Sequence, residues 1–79
     1  AIRTPQRLVQ KTAALIRKFT KKNKLEFSKI LGLGIGMPGL IDSEQGMVRF
    51  SAGFGLRDVP LKELLQHALP IPVKIDNEA

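Results

Sequence analysis

A chain of 79 residues forms one small domain at most, and chains of this size bury only about 60% of the surface their unfolded form exposes, so the core is thin. The absence of cysteine and the single histidine exclude a disulfide framework and any zinc site built from cysteine or histidine, and fit a reducing, cytoplasmic setting. The formal charge of +6 is lopsided: residues 1–29 hold nine Lys/Arg against Glu26, and residues 30–79 hold four against six acids, giving +8 and −2. No apolar run approaches the roughly 18 residues of a membrane span, and no signal-peptide core is present, so no membrane partner is expected. A basic half is compatible with phosphate binding and equally with a solvated helix face. Platforms for stacking bases are scarce, with four Phe and neither Tyr nor Trp.

Thr4 before Pro5 predicts a helix start, because the hydroxyl caps open amides and proline costs nothing at the first helical position. Leu8, Val9, Thr12, Leu15, Ile16 and Phe19 follow at three- and four-residue spacing and predict one apolar stripe, with Arg7, Lys11, Arg17, Lys18, Lys21 and Lys22 mostly elsewhere. The helix should end near Asn23 in a left-handed cap. In "ILGLGIG", Leu31, Leu33 and Ile35 alternate with Gly32, Gly34 and Gly36, a period-two strand whose glycine side accepts a close backbone, a helix or a ligand. Pro38 stops it. "LIDSEQGMVRF" predicts a hairpin of Leu40 to Asp42 and Met47 to Phe50, with Gly46 left-handed. "SAGFGLRDVP" reads as irregular. Asp58 is placed as the cap of a second helix with Pro60 in its first turn and Leu61, Leu64, Leu65, Ala68 and Leu69 as its apolar side, ended by Pro70. "IPVKI" is a short buried strand, and "DNEA" leaves its carboxyl end. The order helix, strand, hairpin, helix, strand predicts an α/β unit over residues 1–79. Because Ala79 directly follows a polar cluster where open α/β sheets place ligands, the segment is expected to belong to a longer protein.

Two stretches carry chemistry. Gly34, Gly36 and Gly39 fit G-x-G-x-x-G, but a dinucleotide site needs a helix after the third glycine, and here a hairpin follows. Pro38 also removes an amide from the turn. What the turn presents instead is bare, proline-stiffened backbone at Pro38, Gly39 and Leu40, either a simple chain reversal or a wall for a small polar ligand. Asp76, Asn77 and Glu78 are either a helix cap or a hydroxyl-binding group, since Asn both donates and accepts and a carboxylate takes two hydroxyls. His67 reads as solvent-exposed, and Met37 and Met47 as packing. Asp42 sits at its ordinary station in a turn, and no Ser-His-Asp set is present.

The succession "ILGLGIGMPGLIDSEQGMVRFS", "GLRDVPLKELL" and "IPVKIDNEA" closely resembles the ROK family of sugar-responsive repressors and sugar kinases, from about residue 5 to residue 79. The resemblance implies part of the N-terminal lobe of an actin-like, ribonuclease H-like α/β fold. It implies that Pro38, Gly39 and Leu40 line a sugar pocket, that Asn77 contacts sugar hydroxyls, and that Glu78 stands where the kinases carry a general-base aspartate. Glutamate is one methylene longer, and a displacement of about 1 Å can cost about a hundredfold in rate. No catalytic residue is therefore expected, although Glu78 still accepts hydroxyls. "SAGFGL" departs from Ser-Pro-Asn-Leu-x-Trp, with Gly53 for the sugar-facing Asn and Leu56 for the Trp. The implied protein is a repressor taking a small sugar inducer, and binding operator DNA through an N-terminal helix-turn-helix outside this segment. It is a homo-oligomer when full length. No metal or cofactor is expected in these residues; zinc belongs to the full-length family pattern, and ATP enters only if the protein is a kinase.

Overall fold

The computed structural model describes residues 4–78. The first helix, α1 (Pro5–Lys22), starts as predicted: the Thr4 hydroxyl accepts the Arg7 amide at 3.2 Å and Pro5 occupies the first turn. Its end differs. Asn23 keeps φ −96° and turns its side chain back to donate to the Phe19 carbonyl at 2.9 Å, so the left-handed position passes to Lys24, at φ 54°. The buried stripe is also rotated from expectation. Val9, Ala13 and Thr20 are buried, while Leu15 and Phe19 are 62% and 58% exposed. Ala13 packs with Leu69 and Ile71, just past the end of the second helix, and Thr20 satisfies its hydroxyl on the Arg17 carbonyl at 2.9 Å.

Strand β1 (Leu33–Met37) begins two residues later than its alternation, leaving Leu31 outside and 96% exposed, whereas β2 (Leu40–Asp42) and β3 (Met47–Ser51) fall where the sequence places them. Between the last two, Asp42 Oδ1 accepts the Gln45 amide at 3.2 Å and Gly46 is left-handed at φ 69°. The stretch read as irregular contains a further strand, β4 (Leu56–Val59), which pairs antiparallel with β3. Its inclusion makes the hairpin a three-stranded meander, ordered β2-β3-β4. Asp58 does not cap a helix; it lies in β4 at φ 52°, 3.5 Å from Arg49. That left-handed residue kinks the strand, so Leu56 and Val59 both point inward with Arg57 and Asp58 outside. Helix α2 (Leu61–Ala68) has Pro60 itself at the N-cap, with no side-chain cap.

Strand β5 (Val73–Asn77) runs parallel to β1, with Leu33 opposite Val73 and Met37 opposite Asn77. The Gln66 side chain of α2 accepts the Val73 amide at 2.9 Å and sets where β5 begins. The core gathers Val48, Leu56 and Val59 from the meander, Leu61 and Leu65 from α2, Met37, Val73 and Ile75 from the parallel pair, and Val9 from α1. Full burial of each such side chain contributes about 1.5–3 kcal/mol. Ala13, Leu69 and Ile71 form a second cluster between the helices. On the glycine side of β1 a Cβ on Gly34 would meet nothing within 4 Å, whereas one on Gly32 would meet Pro72. Among the described residues no helix is long and apolar enough to cross a membrane.

Candidate functional site

Parallel pairing in register brings the carboxyl ends of β1 and β5 side by side, the usual ligand-facing edge of an open α/β sheet. The Glu78 amide continues the ladder onto the Met37 carbonyl at 3.1 Å. From Met37 the chain turns through Pro38 and Gly39 into β2. Gly39 holds φ 116°, and a Cβ there would overlap the Phe50 carbonyl oxygen. Only glycine lets the turn lie so close on β3.

Across this corner Asn77 Nδ2 donates to the Gly39 carbonyl at 2.5 Å, joining residues 38 positions apart. The Asn77 amide is itself held by Asp76 Oδ1 at 2.8 Å, which orients the residue. Gly36 leaves room for the last acid: a Cβ on Gly36 would stand 3.1 Å from the Glu78 Cβ. The strand tips therefore assemble Pro38, Gly39, Leu40, Asn77 and Glu78, the residues singled out in the sequence. All but half-buried Pro38 are exposed. Chemically the corner offers a carboxylate that accepts hydroxyls, an anchored carboxamide and rigid bare backbone.

Two features beside the corner escaped the sequence reading. Ser51 follows directly on the carbonyl that Gly39 crowds; it is 1% exposed and its hydroxyl has no hydrogen-bond partner among the described residues. Arg57 lies over the Phe50 ring at 5.1 Å. That contact follows from β4, and the stretch containing it carried no alternation to announce a strand. Gly53, which replaces the expected Asn, opens onto free space. His67 is exposed, and Asp42 serves its turn and an ion pair with Arg49 at 3.7 Å. The shallow depressions lined by Gly32, Gly34, Pro72 and Lys74, and by Gln66, Leu69 and Ile71, lie toward the opposite ends of β1 and β5. Among the described residues no three His, Cys, Asp or Glu side chains gather as metal ligands would.

A profile of the ROK family matches residues 1–79. The chain belongs to the ROK family. As a ROK segment it is 39% identical over 74 residues, 94% of its length, to the "Xylose repressor" of Caldicellulosiruptor bescii. It is 38% identical over 52 residues, 66% of its length, to the "Glucokinase" of Halalkalibacterium halodurans. Its backbone superposes on a solved ROK family transcriptional regulator, a homologue of the E. coli MLC protein, with TM-score 0.78 and 23% identity over 92% of the chain. The fold is thus the α/β arrangement of part of an actin-like domain. The segment spans 18% of the repressor, 16% of the glucokinase and 18% of the solved regulator.

Proposed function

We propose that this segment belongs to the inducer-binding domain of a ROK-type transcriptional repressor, with a sugar held at the tips of β1 and β5. The observation that carries the reading is the Asn77–Gly39 bridge, which fixes a carboxamide between two strand ends beside Glu78 and the bare turn. The family's repressor relatives supply the biological class, and their name makes xylose the first ligand to try. Sugar hydroxyls meet Asn77 and Glu78, and the backbone of Pro38, Gly39 and Leu40 walls the ring.

In the longer chain, operator DNA is bound by a helix-turn-helix domain before this segment, as a cytoplasmic homo-oligomer. Any zinc ligands lie in the family's downstream portion. Sugar acts as a switch only by binding one conformation better than another. The corner suits that task, because a ligand touching Asn77 and Gly39 at once senses the separation of two strand tips. Calorimetric titration of the longer chain with a panel of aldoses tests the reading. Asn77→Ala is expected to weaken sugar binding at least tenfold, the loss of roughly one hydrogen bond plus its partner's desolvation. Unchanged affinity in that variant refutes the site.

The glucokinase relative favours a second reading, an ATP-dependent sugar kinase with Glu78 as the base that takes the sugar hydroxyl's proton. Under it, ATP is the co-substrate. Sustained ADP release with sugar, abolished by Glu78→Gln, distinguishes the kinase from the repressor.

A further inference from the structure

Helix α1 contains no acidic residue over its 18 positions. At 3.6 residues per turn, Arg7, Lys11, Lys18 and Lys22 fall within about 60° of one another and run for about 22 Å along the axis. All four are exposed. Val9, Ala13 and Thr20, buried against the rest of the chain, occupy the opposite side, so the basic line is the helix's outward ridge. Arg7 with Lys11 and Lys18 with Lys22 are like charges at i,i+4, a spacing that destabilises a helix. Among the described residues no carboxylate forms an ion pair with any of them; the basic half's ion pair is Lys29 with Glu26 at 3.9 Å. Lys22, in the last turn, suits the helix dipole, but Arg7, in the first turn, opposes it, and Lys11 and Lys18 between them have no ion pair among the described residues. A polyanion outside the fold relieves their repulsion.

We infer that the outward ridge of α1 is a docking surface for the phosphate backbone of duplex DNA, holding Arg7, Lys11, Lys18 and Lys22 against successive phosphates. The inference rests on the repressor reading, in which the same chain holds an operator. Charge complementarity selects the partner, and the ridge's make-up selects its mode. Flexible lysines with one arginine give salt-sensitive, sequence-independent contacts. Single strands are disfavoured because Phe19, beside the ridge, is the one aromatic residue of α1. A membrane surface is disfavoured because the helix spends its Val9–Ala13 side on internal packing, which leaves Leu15 and Phe19 as its large exposed apolar residues.

The test uses the longer chain carrying this segment and a random-sequence 30-base-pair duplex, with binding followed by fluorescence anisotropy at several salt concentrations. Arg7, Lys11, Lys18 and Lys22 are changed together to Gln, which preserves helix propensity. Each lost phosphate contact lowers the slope of log affinity against log salt by about 0.9, so the slope should fall by about 3.6. A control with Lys24, Lys29, Lys62 and Lys74 changed to Gln removes equal charge and should leave the slope in place. Circular dichroism and sugar titration confirm that both variants are folded. An unchanged slope in the ridge variant, an equal fall in the control, or binding of the unmodified protein to phosphatidylserine vesicles but not to DNA overturns the inference. If the unmodified protein binds neither vesicles nor any duplex at low salt, the repressor reading itself fails and the ridge falls with it.

Discussion

Gly39 concentrates the demands of the strand-tip corner in one residue. Its positive φ and the overlap a Cβ would have with the Phe50 carbonyl act together, and strained φ alone costs about 1–3 kcal/mol. Gly39→Ala is therefore expected to lower stability by more than about 2 kcal/mol in chemical denaturation. It should also shift the Asn77 side-chain amide signals in an NMR spectrum, because the displaced carbonyl is their acceptor. A variant of native stability with unmoved Asn77 signals contradicts this account of the turn. The role of Gly39 was only half legible in the sequence. Pro-Gly marks a turn, but the body that crowds it is β3, whose approach is a tertiary fact.

Among the elements, the two helices are held together at a point that no spacing rule announces. Arg17 Nη2 donates to the Ala68 carbonyl at 2.7 Å, the last residue of α2, while its guanidinium lies 5.6 Å from the centre of the Phe27 ring. A cation at a helix carboxyl end meets both the open carbonyl and the dipole. Arg17→Ala should cost about 1–2 kcal/mol, from one charge-assisted hydrogen bond and an exposed cation–π contact. Arg17→Lys should recover part of that, and equal melting temperatures for all three proteins would remove the clamp's significance. Elements with their own local signals were read correctly: the Thr4–Pro5 start, the Gly46 turn, the strand before Pro38 and the ending of α2 at Pro70. Two were misread because tertiary packing decided them. The α1 stripe rotates toward Ala13, which packs with Leu69 and Ile71 past the end of α2, and Leu15 and Phe19 are left outside. Strand β4 was missed because Asp58, at φ 52°, breaks the alternation by which a strand is recognised.

Over the whole molecule, stability rests on a few side chains. Leu65 is 1% exposed and stands in the cluster that joins the meander, α2, β5 and α1. Leu65→Ala is expected to cost about 2–5 kcal/mol. Small domains have about 5 kcal/mol or little more in hand, so the isolated 79-residue chain carrying this change should lose its cooperative thermal transition. A sharp transition within a few degrees of the unsubstituted chain would show that the cluster is not the core. The corner at the strand tips was legible at this scale because parallel strands place both carboxyl ends together. The contact that ties the corner was not, since nothing in the sequence around Asn77 marks the Gly39 carbonyl it reaches.

The parallel pairing also has a temporal side. Leu33 pairs with Val73, and 73 − 33 = 40 residues separate the partners. A ribosome adding about 5–20 residues per second needs about 2–8 s to supply them. Throughout that interval the edge of β1 that pairs with β5 waits for that partner. The meander, closed through short local turns, can form inside the same window, so its antiparallel pairing precedes the parallel one.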